Sequence, residues 1–455
     1  MAKTTNAQPK NKAGVYKKSY EAKLYKFALL GERIISFLSP FSFLFKSSTR
    51  SVFVNACCYV QGLFCAERSN CQQIADVSDG SNQQRLHHLL SKAKWQASTL
   101  MNEVAVQFVK QIEQLELQDD LQLIIDESGF AKKGKKSKGV ARQYNGSAGK
   151  IDNCQVGVFA ALNAGSITNL INAKLYTPKS GPSKIDHALD LINHTIETLK
   201  LPVKYVSFDA FYGRDSSLLA TLKDKKIHFV ADVPENYQIC LERFQMRLSK
   251  AKGTQGRPPL HKKPTRPFVS IQEYAISLKK KDFSFLTVRH ASKKKLKAYF
   301  HKRSVYIINP HTKKCMELIL LIRKDADGTL KFSLCNAPQD VTLKELAYQQ
   351  SKRYFIERNF QDTKQQLGLD DYQCQSEIAW ERHMSLCMLA MLFINREKCE
   401  NLQELDIYLS AGDIKKMIMA IVLYNETKQQ RIFKEILTKT QMTKAKAKKN
   451  VYIRI

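Results

Sequence analysis

Apolar residues recur at spacings of three and four from about residue 24 to residue 117, with Pro nearly absent, and this periodicity predicts a run of short amphipathic helices. Breaks are expected at Ser39-Pro40 and at Asp79-Gly80-Ser81. Residues 72–95 (QQIADVSDGSNQQRLHHLLSKAKW) have room for a helix-turn-helix, although any two adjacent helices give that pattern. The texture then changes. LQLIID (121–126) is a short apolar run ending in Asp126, and a Lys-rich loop follows. QVGVFAAL (155–162) and ITNLINAKLY (167–176) read as strands about an Asn-Ala-Gly turn, and IDHALDLINHTIETLK (185–200) as an amphipathic helix. KYVSFD (204–209) is a second strand ending in Asp, here Asp209; a helix (216–222) and a strand (228–233) follow. This succession predicts an α/β fold with a mixed sheet whose first hairpins are antiparallel.

Around residue 236 the alternation stops. Residues 250–303 hold sixteen Lys and Arg against Glu273 and Asp282, and include GRPPLHKKPTRP, which suits neither a helix nor a central strand. VSIQEYAISL, FSFLTVRH, SVYIIN, MELILLIRK and LKFSLC read as strands of a basic, β-rich insertion. Helical texture returns from residue 342 to about 395, and the chain ends in a Lys-rich stretch. The expected segments are a flexible basic lead (1–23), a helical N-terminal domain with DNA-binding character (24–117), the first part of a mixed-sheet core (118–234), the insertion (235–340), the second part of the core (341–400) and a helical C-terminal region with a basic tail (401–455).

The 455 residues carry a net charge of +31, spread along the chain rather than confined to a tail. Such an excess points to a polyanionic partner, and nucleic acid is the usual one. The longest apolar run, residues 384–394, is about half of what a bilayer span needs. No apolar signal-peptide core follows the basic N-terminus. A soluble intracellular protein is expected. The 11 Cys form no CxxC pair and no zinc-type spacing with His, which leaves reduced, buried thiols as the expectation.

Candidate chemistry begins with Asp126 and Asp209. A carboxylate at the end of a buried strand is held by rigid backbone, and two from neighbouring strands can share a divalent cation; strand-end Asp residues also serve simply as loop caps. In YQQSKRYFIERNFQDTKQQLGLD, Arg353, Glu357 and Lys364 fall on one helical face, with Ile356, Phe360 and Leu367 on an adjoining stripe. An ordinary surface pair of Arg353 and Glu357 would look the same. Among other carboxylates, Glu127 points to the opposite strand face from Asp126, Asp232 is a candidate extra ligand, and Asp370 and Asp371 suit a helix end. Arg382 and His383 suit a surface or packing role. The loop after Asp126 carries Lys132, Lys133 and Arg142 among seven bases, placed to meet phosphates beside such a site.

Three stretches together resemble the DD-E transposases of bacterial insertion sequences: DESGFAKKGKKSKGVARQYNGSAGKIDNCQVGVF, YVSFDAFYG and IERNFQDTKQQLGLDDYQ. Within the IS-four superfamily, the branch called IS-seven-oh-one fits best, and the helical YVQGLFCAERSNCQQIA is similar as well. The resemblance spans about residues 25–395. It implies an RNase H-like core in which Asp126, Asp209 and Glu357 are the catalytic, metal-binding carboxylates. It implies two Mg²⁺ ions, with Mn²⁺ as a substitute, and Arg353 and Lys364 on DNA near the cut end, as in the signature Y-x2-R-x3-E-x6-K. Gln350 stands where that signature has Tyr, and Tyr348 and Tyr354 flank it at the wrong spacing. The implied activity is cleavage at the element's terminal inverted repeats and transfer of the freed 3′-OH into target DNA, by two copies in a synaptic complex. An inactive DNA-binding relative, or another RNase H-like nuclease, is the alternative.

Overall fold

The computed structural model describes residues 21–146, 148–248, 261–289, 296–338 and 340–448. Residues 1–20 of the expected basic lead, Lys293, Lys294 and Lys295 of the insertion, and the tail beyond residue 448 lie outside this range. The chain forms two compact units, Met101–Gln361 and the combination of Met1–Leu100 with Asp362–Tyr452. The helical residues up to Leu100 thus share a unit with the C-terminal helices, a grouping that no local sequence signal announces.

The unit Met101–Gln361 is built on one ten-stranded mixed sheet. Its strands are β1 (Gln122–Ala131), β2 (Ala141–Asn145), β3 (Lys150–Ala164), β4 (Ile167–Tyr176), β5 (Tyr205–Phe208), β6 (Phe229–Val233), β7 (Ser284–Arg289), β8 (Leu296–Ile308), β9 (Cys315–Lys324) and β10 (Leu330–Asn336). They run in the order β7-β8-β9-β10-β6-β5-β1-β3-β2, with β4 on β3. β1 is antiparallel to β3 and parallel to β5, and β5 is parallel to β6. The mixed α/β core implied by the resemblance is therefore present, with its early hairpins antiparallel. Leu123, Ile124 and Ile125 are fully buried, as an uninterrupted apolar run on a central strand with a parallel neighbour must be.

Three expectations are corrected. β1 does not end at Asp126 but continues to Ala131, because its antiparallel ladder with β3 runs on to the Ala131–Cys154 pair. The Lys-rich stretch is not all loop: residues 141–145 form β2, which pairs with the start of β3. Of VSIQEYAISL, Val269–Ser270 alone is strand; Ile271–Ser277 is a helix, set by the capping box between Ser270 and Glu273. The β-rich insertion is present, and its strands continue the core sheet, since β10 pairs antiparallel with β6 and carries the sheet outward through β9, β8 and β7.

The helices that bear on the site are α1 (Lys184–Asn193), α2 (Ala210–Gly213), α3 (Leu343–Lys352) and α4 (Tyr354–Leu367). α3 is fastened to the chain just before β1: Lys352 Nζ lies 2.8 Å from Asp120 Oδ1, Tyr348 donates to Asp120 Oδ2 at 2.7 Å, and Gln122 Nε2 donates to the Gln349 carbonyl at 3.1 Å. On α4 the expected apolar stripe of Ile356, Phe360 and Leu367 is buried, and Phe360 meets Phe159 of β3 edge-on at 5.2 Å.

The other unit is helical. It includes Leu30–Leu38, Phe53–Cys65, Cys71–Asp76, Gln83–Ser91, Glu377–Leu405, Ala411–Leu423 and Glu426–Lys448. The expected breaks occur: a 3₁₀ turn begins at Ser39, and Gly80 takes a φ of 96° between the helices Cys71–Asp76 and Gln83–Ser91. Phe37 packs on Phe393 and Phe27 on Phe433. No single helix among the described residues is long and apolar enough to cross a membrane. All 11 Cys are free, as expected.

Candidate active site

Ile125 and Phe208 form the last pair of the parallel β1–β5 ladder, so Asp126 and Asp209 follow at equivalent points of adjacent strands. β5 ends there because Asp209 caps α2, accepting from the Phe211 and Tyr212 N–H groups at 3.0 and 3.4 Å. Gly213 closes that short helix against β6: a Cβ there would sit 1.9 Å from the Asp232 carbonyl oxygen. No side chain other than hydrogen fits, which fixes how near Asp209 comes to β6.

Arg353 lies at the junction of α3 and α4, where the expected single helix divides. Its Nε donates to Asp232 Oδ2 at 2.9 Å, and its Nη1 lies 3.1 Å from Glu357 Oε1 and 3.6 Å from Asp126 Oδ2. Burial works against the Arg353 charge, but Asp232, Asp126, Glu357 and Asp209 outweigh it and hold the guanidinium more firmly protonated than usual. Burial, and after it the Asp209 charge, push the Asp126 carboxyl up to about 7, against the pull of Arg353 and of the Glu127 N–H; Glu357 adds to the rise. The three carboxylates named from the sequence therefore share one electrostatic site. A groove of about 520 Å³ reaches its Asp209 side, lined by Asp209, Asp232, Lys331 and Arg353 among others.

The donor set fits a hard divalent cation in kind, since all three are carboxylates and their mutual repulsion calls for positive charge. In this conformation no three His, Cys, Asp or Glu side chains among the described residues close on one point; the Arg353 guanidinium bridges Asp126 and Glu357 instead.

Asp232, weighed from the sequence as an extra ligand, is engaged otherwise. It faces Ser333 across the β6–β10 ladder and accepts the Ser333 hydroxyl at 2.6 Å on Oδ1, with Arg353 on Oδ2. Gln350 is buried and donates through Nε2 to Ser333 Oγ at 2.7 Å. Sequence reasoning missed Ser333 entirely, because its importance arises from strand register alone. Glu127 does point away from Asp126 and pairs with Lys184 of α1 at 2.6 Å. Lys364 lies farther along α4, and burial lowers its pKa against the pull of Asp370. Asp371 sits in a turn after α4, as expected, and accepts from the Ser69 N–H. Arg382 and His383 have packing roles: Arg382 donates to the carbonyls of Leu90, Ala93 and Trp95, and His383 Nδ1 is 2.8 Å from the Tyr59 hydroxyl. Arg142 projects from β2 and is exposed, like Lys133; Lys132 is half-buried. Because β1 runs on, Lys132 lies roughly 20 Å along the strand from Asp126 rather than beside it.

Residues 117–393 match the family described as Transposase DDE domain, and residues 41–186 match DDE superfamily endonuclease. The first match covers more than half of the chain, and the protein belongs to the DDE transposase family. A probable transposase for insertion sequence element IS701 from Microchaete diplosiphon is 27% identical over 184 residues, 38% of this chain. The chain spans 46% of that relative's length. In a structure comparison, a piggyBac transposase synaptic complex with hairpin DNA aligns over 95% of this chain and 86% of its own, at 11% identity and a TM-score of 0.40.

Proposed function

We propose that the protein is a cut-and-paste DNA transposase, cleaving DNA at the ends of an insertion sequence and transferring the freed 3′-OH to target DNA. The observation that carries this reading is the shared site of Asp126, Asp209 and Glu357: two carboxylates at matched points of parallel strands and a third on a helix, with Arg353 between Asp126 and Glu357. Divalent metal ions, Mg²⁺ or Mn²⁺, held by these three would activate the attacking oxygen and neutralise charge at phosphorus. Asp209 is held ready by its two backbone hydrogen bonds, and Asp126 by the rigid strand. Arg353 would turn its charge toward a DNA phosphate as the carboxylates take up their ions, and Lys364 would extend that contact along α4. Lys132, Lys133 and Arg142 would meet the duplex backbone away from the cut, giving position rather than sequence. Cutting two ends together implies two copies of the chain on DNA.

The deciding experiment incubates the protein with its own element-end DNA and Mg²⁺, beside Glu357→Gln and an EDTA control. Cleavage at the element boundary that requires both metal and Glu357 is expected. Salt-sensitive binding with no cutting by either protein would indicate an inactive DNA-binding relative. Cutting that persists in the variant would exclude Glu357.

A further inference from the structure

The signature position occupied by Gln350 is buried, 8% exposed, and faces the sheet rather than an open surface. From it a directed chain of hydrogen bonds leads to the site. Gln350 Nε2 donates to Ser333 Oγ at 2.7 Å, the Ser333 hydroxyl donates to Asp232 Oδ1 at 2.6 Å, and Arg353 Nε donates to Asp232 Oδ2 at 2.9 Å. Each link uses a different element: α3, β10, β6 and the α3–α4 junction. Ser333 and Asp232 are direct partners across the ladder, so their contact needs no flexible reach. Both carboxylate oxygens of Asp232 are engaged, and with Nε fixed the guanidinium can offer Nη1 to Glu357 and Asp126.

We propose that Gln350, Ser333 and Asp232 act as positioning residues that hold Arg353 at a set distance from the catalytic carboxylates, so that the guanidinium bridges them loosely and yields to a divalent cation. The proposal rests on the reading of Asp126, Asp209 and Glu357 as cation-binding groups. The physical argument is competition. A guanidinium with its Nε side anchored on Asp232 divides its attraction among several carboxylates. Released from Asp232, it would close on Asp126 and Glu357 as a tighter internal counter-ion, and an incoming Mg²⁺ would have to displace it. The side chain at residue 350 thus works from inside the fold through Ser333, where an amide can donate to a buried hydroxyl.

The test measures Mg²⁺ affinity of the full chain without DNA by titration calorimetry, with Tm as a check on folding, for Asp232→Asn, Ser333→Ala, Ser333→Thr, Gln350→Ala and Asp126→Asn. Outer partners of metal-binding groups typically change affinity by about 10- to 100-fold when removed. Asp232→Asn should weaken Mg²⁺ binding about tenfold, and Ser333→Ala and Gln350→Ala about threefold to tenfold. Ser333→Thr keeps the hydroxyl and should stay near the wild-type value. In cleavage assays Asp232→Asn, Ser333→Ala and Gln350→Ala should lose kcat with KM for DNA little changed. Unchanged Mg²⁺ affinity in folded Asp232→Asn and Ser333→Ala would overturn the positioning role and leave the carboxylate reading intact. Loss in Asp232→Asn as complete as in Asp126→Asn, with none in Ser333→Ala, would make Asp232 a ligand and overturn it as well. Unchanged affinity in Asp126→Asn would overturn the carboxylate reading itself.

Discussion

Asp126 and Asp209 stand one residue beyond the same pair of the β1–β5 ladder, yet the backbone treats them differently: Asp126 lies within a strand that continues, and Asp209 caps a helix that begins. The first is rigid because β3 pairs with it on one side. The second is rigid because two N–H groups orient its carboxylate. Carboxylates held this close without a cation cost stability, and on the proposed reading of the site that cost is measurable.

Asp126→Asn should make the metal-free protein more stable at neutral pH while abolishing cleavage. Its folded pKa of about 7 lies above the ordinary 3.8, so the folded state resists ionisation. The cost to wild type builds as pH climbs from about 4 to about 7 and is constant above, with a ceiling of about 4 kcal/mol. The Asn variant also removes a partner of Arg353, so a gain in Tm of about 2–4 °C at pH 8 is expected, shrinking toward pH 4. Added Mg²⁺ should raise the Tm of wild type and not of the variant. Thermal melts at pH 4.5, 6 and 8 would show no pH-dependent difference between the two proteins if Asp126 were an ordinary exposed carboxylate.

Gly213→Ala should disturb Asp209 without touching it. The new Cβ would meet the Asp232 carbonyl oxygen at 1.9 Å, so α2 or β6 must shift. Overpacking of this kind costs about 1–3 kcal/mol. Urea denaturation should show that loss, and cleavage should fall by at least tenfold in protein that remains folded; wild-type activity would show that the approach of α2 to β6 is dispensable.

Restoring the signature with Gln350→Tyr should not improve the protein. The position is buried, and a larger ring would displace Ser333 and its bond to Asp232. A stability loss of about 1–3 kcal/mol and lower cleavage are expected. Higher activity at unchanged Tm would mean that residue 350 works from the DNA side.

Binding to element-end DNA should weaken steeply with salt, by roughly 0.9 in log K per phosphate contact per tenfold change. A combined Lys132→Ala, Lys133→Ala and Arg142→Ala variant should lower that slope by up to about 3 and weaken binding to all sequences alike. Because these residues lie well along β1 and β2 from Asp126, the cleavage rate of fully bound DNA should be nearly unchanged. A slope equal to wild type would remove the three from the interface.

Arg382→Ala should destabilise the helical unit. The side chain donates to three carbonyls between Leu90 and Trp95, and its guanidinium stacks over the Trp95 ring at 5.1 Å. Removing it leaves buried acceptors without donors, at a cost of about 3 kcal/mol or more. A melt within 1 °C of wild type would show that water replaces the guanidinium without loss.

The strands β3 to β6 and the buried stripe of α4 were readable in the chain because each follows from a local fact, namely which side chains must leave water. Asp126, Asp209 and Glu357 stood out through their neighbours in sequence. The extension of β1, the existence of β2 and the helix at Ile271–Ser277 were not readable from hydrophobicity, since the first two depend on pairing with β3 and the third on a capping box that outweighs a strand-like composition. Asp232 shows the same divide within the site. Its position in a strand-like run was evident, but its partners were not: Ser333 reaches it by a ladder between residues 101 positions apart, and Arg353 from 121 positions away.

Sequence periodicity encodes burial residue by residue, and burial is enough to set the mixed α/β pattern and the helical texture of residues 24–117. It does not encode which strand lies beside which. Register is chosen by the whole sheet at once, and hydrogen-bond partners follow from register. Folding therefore decided that the insertion continues the core sheet, that the helices up to Leu100 join those from Asp362 onward, and that Arg353 is shared among Asp126, Asp232 and Glu357.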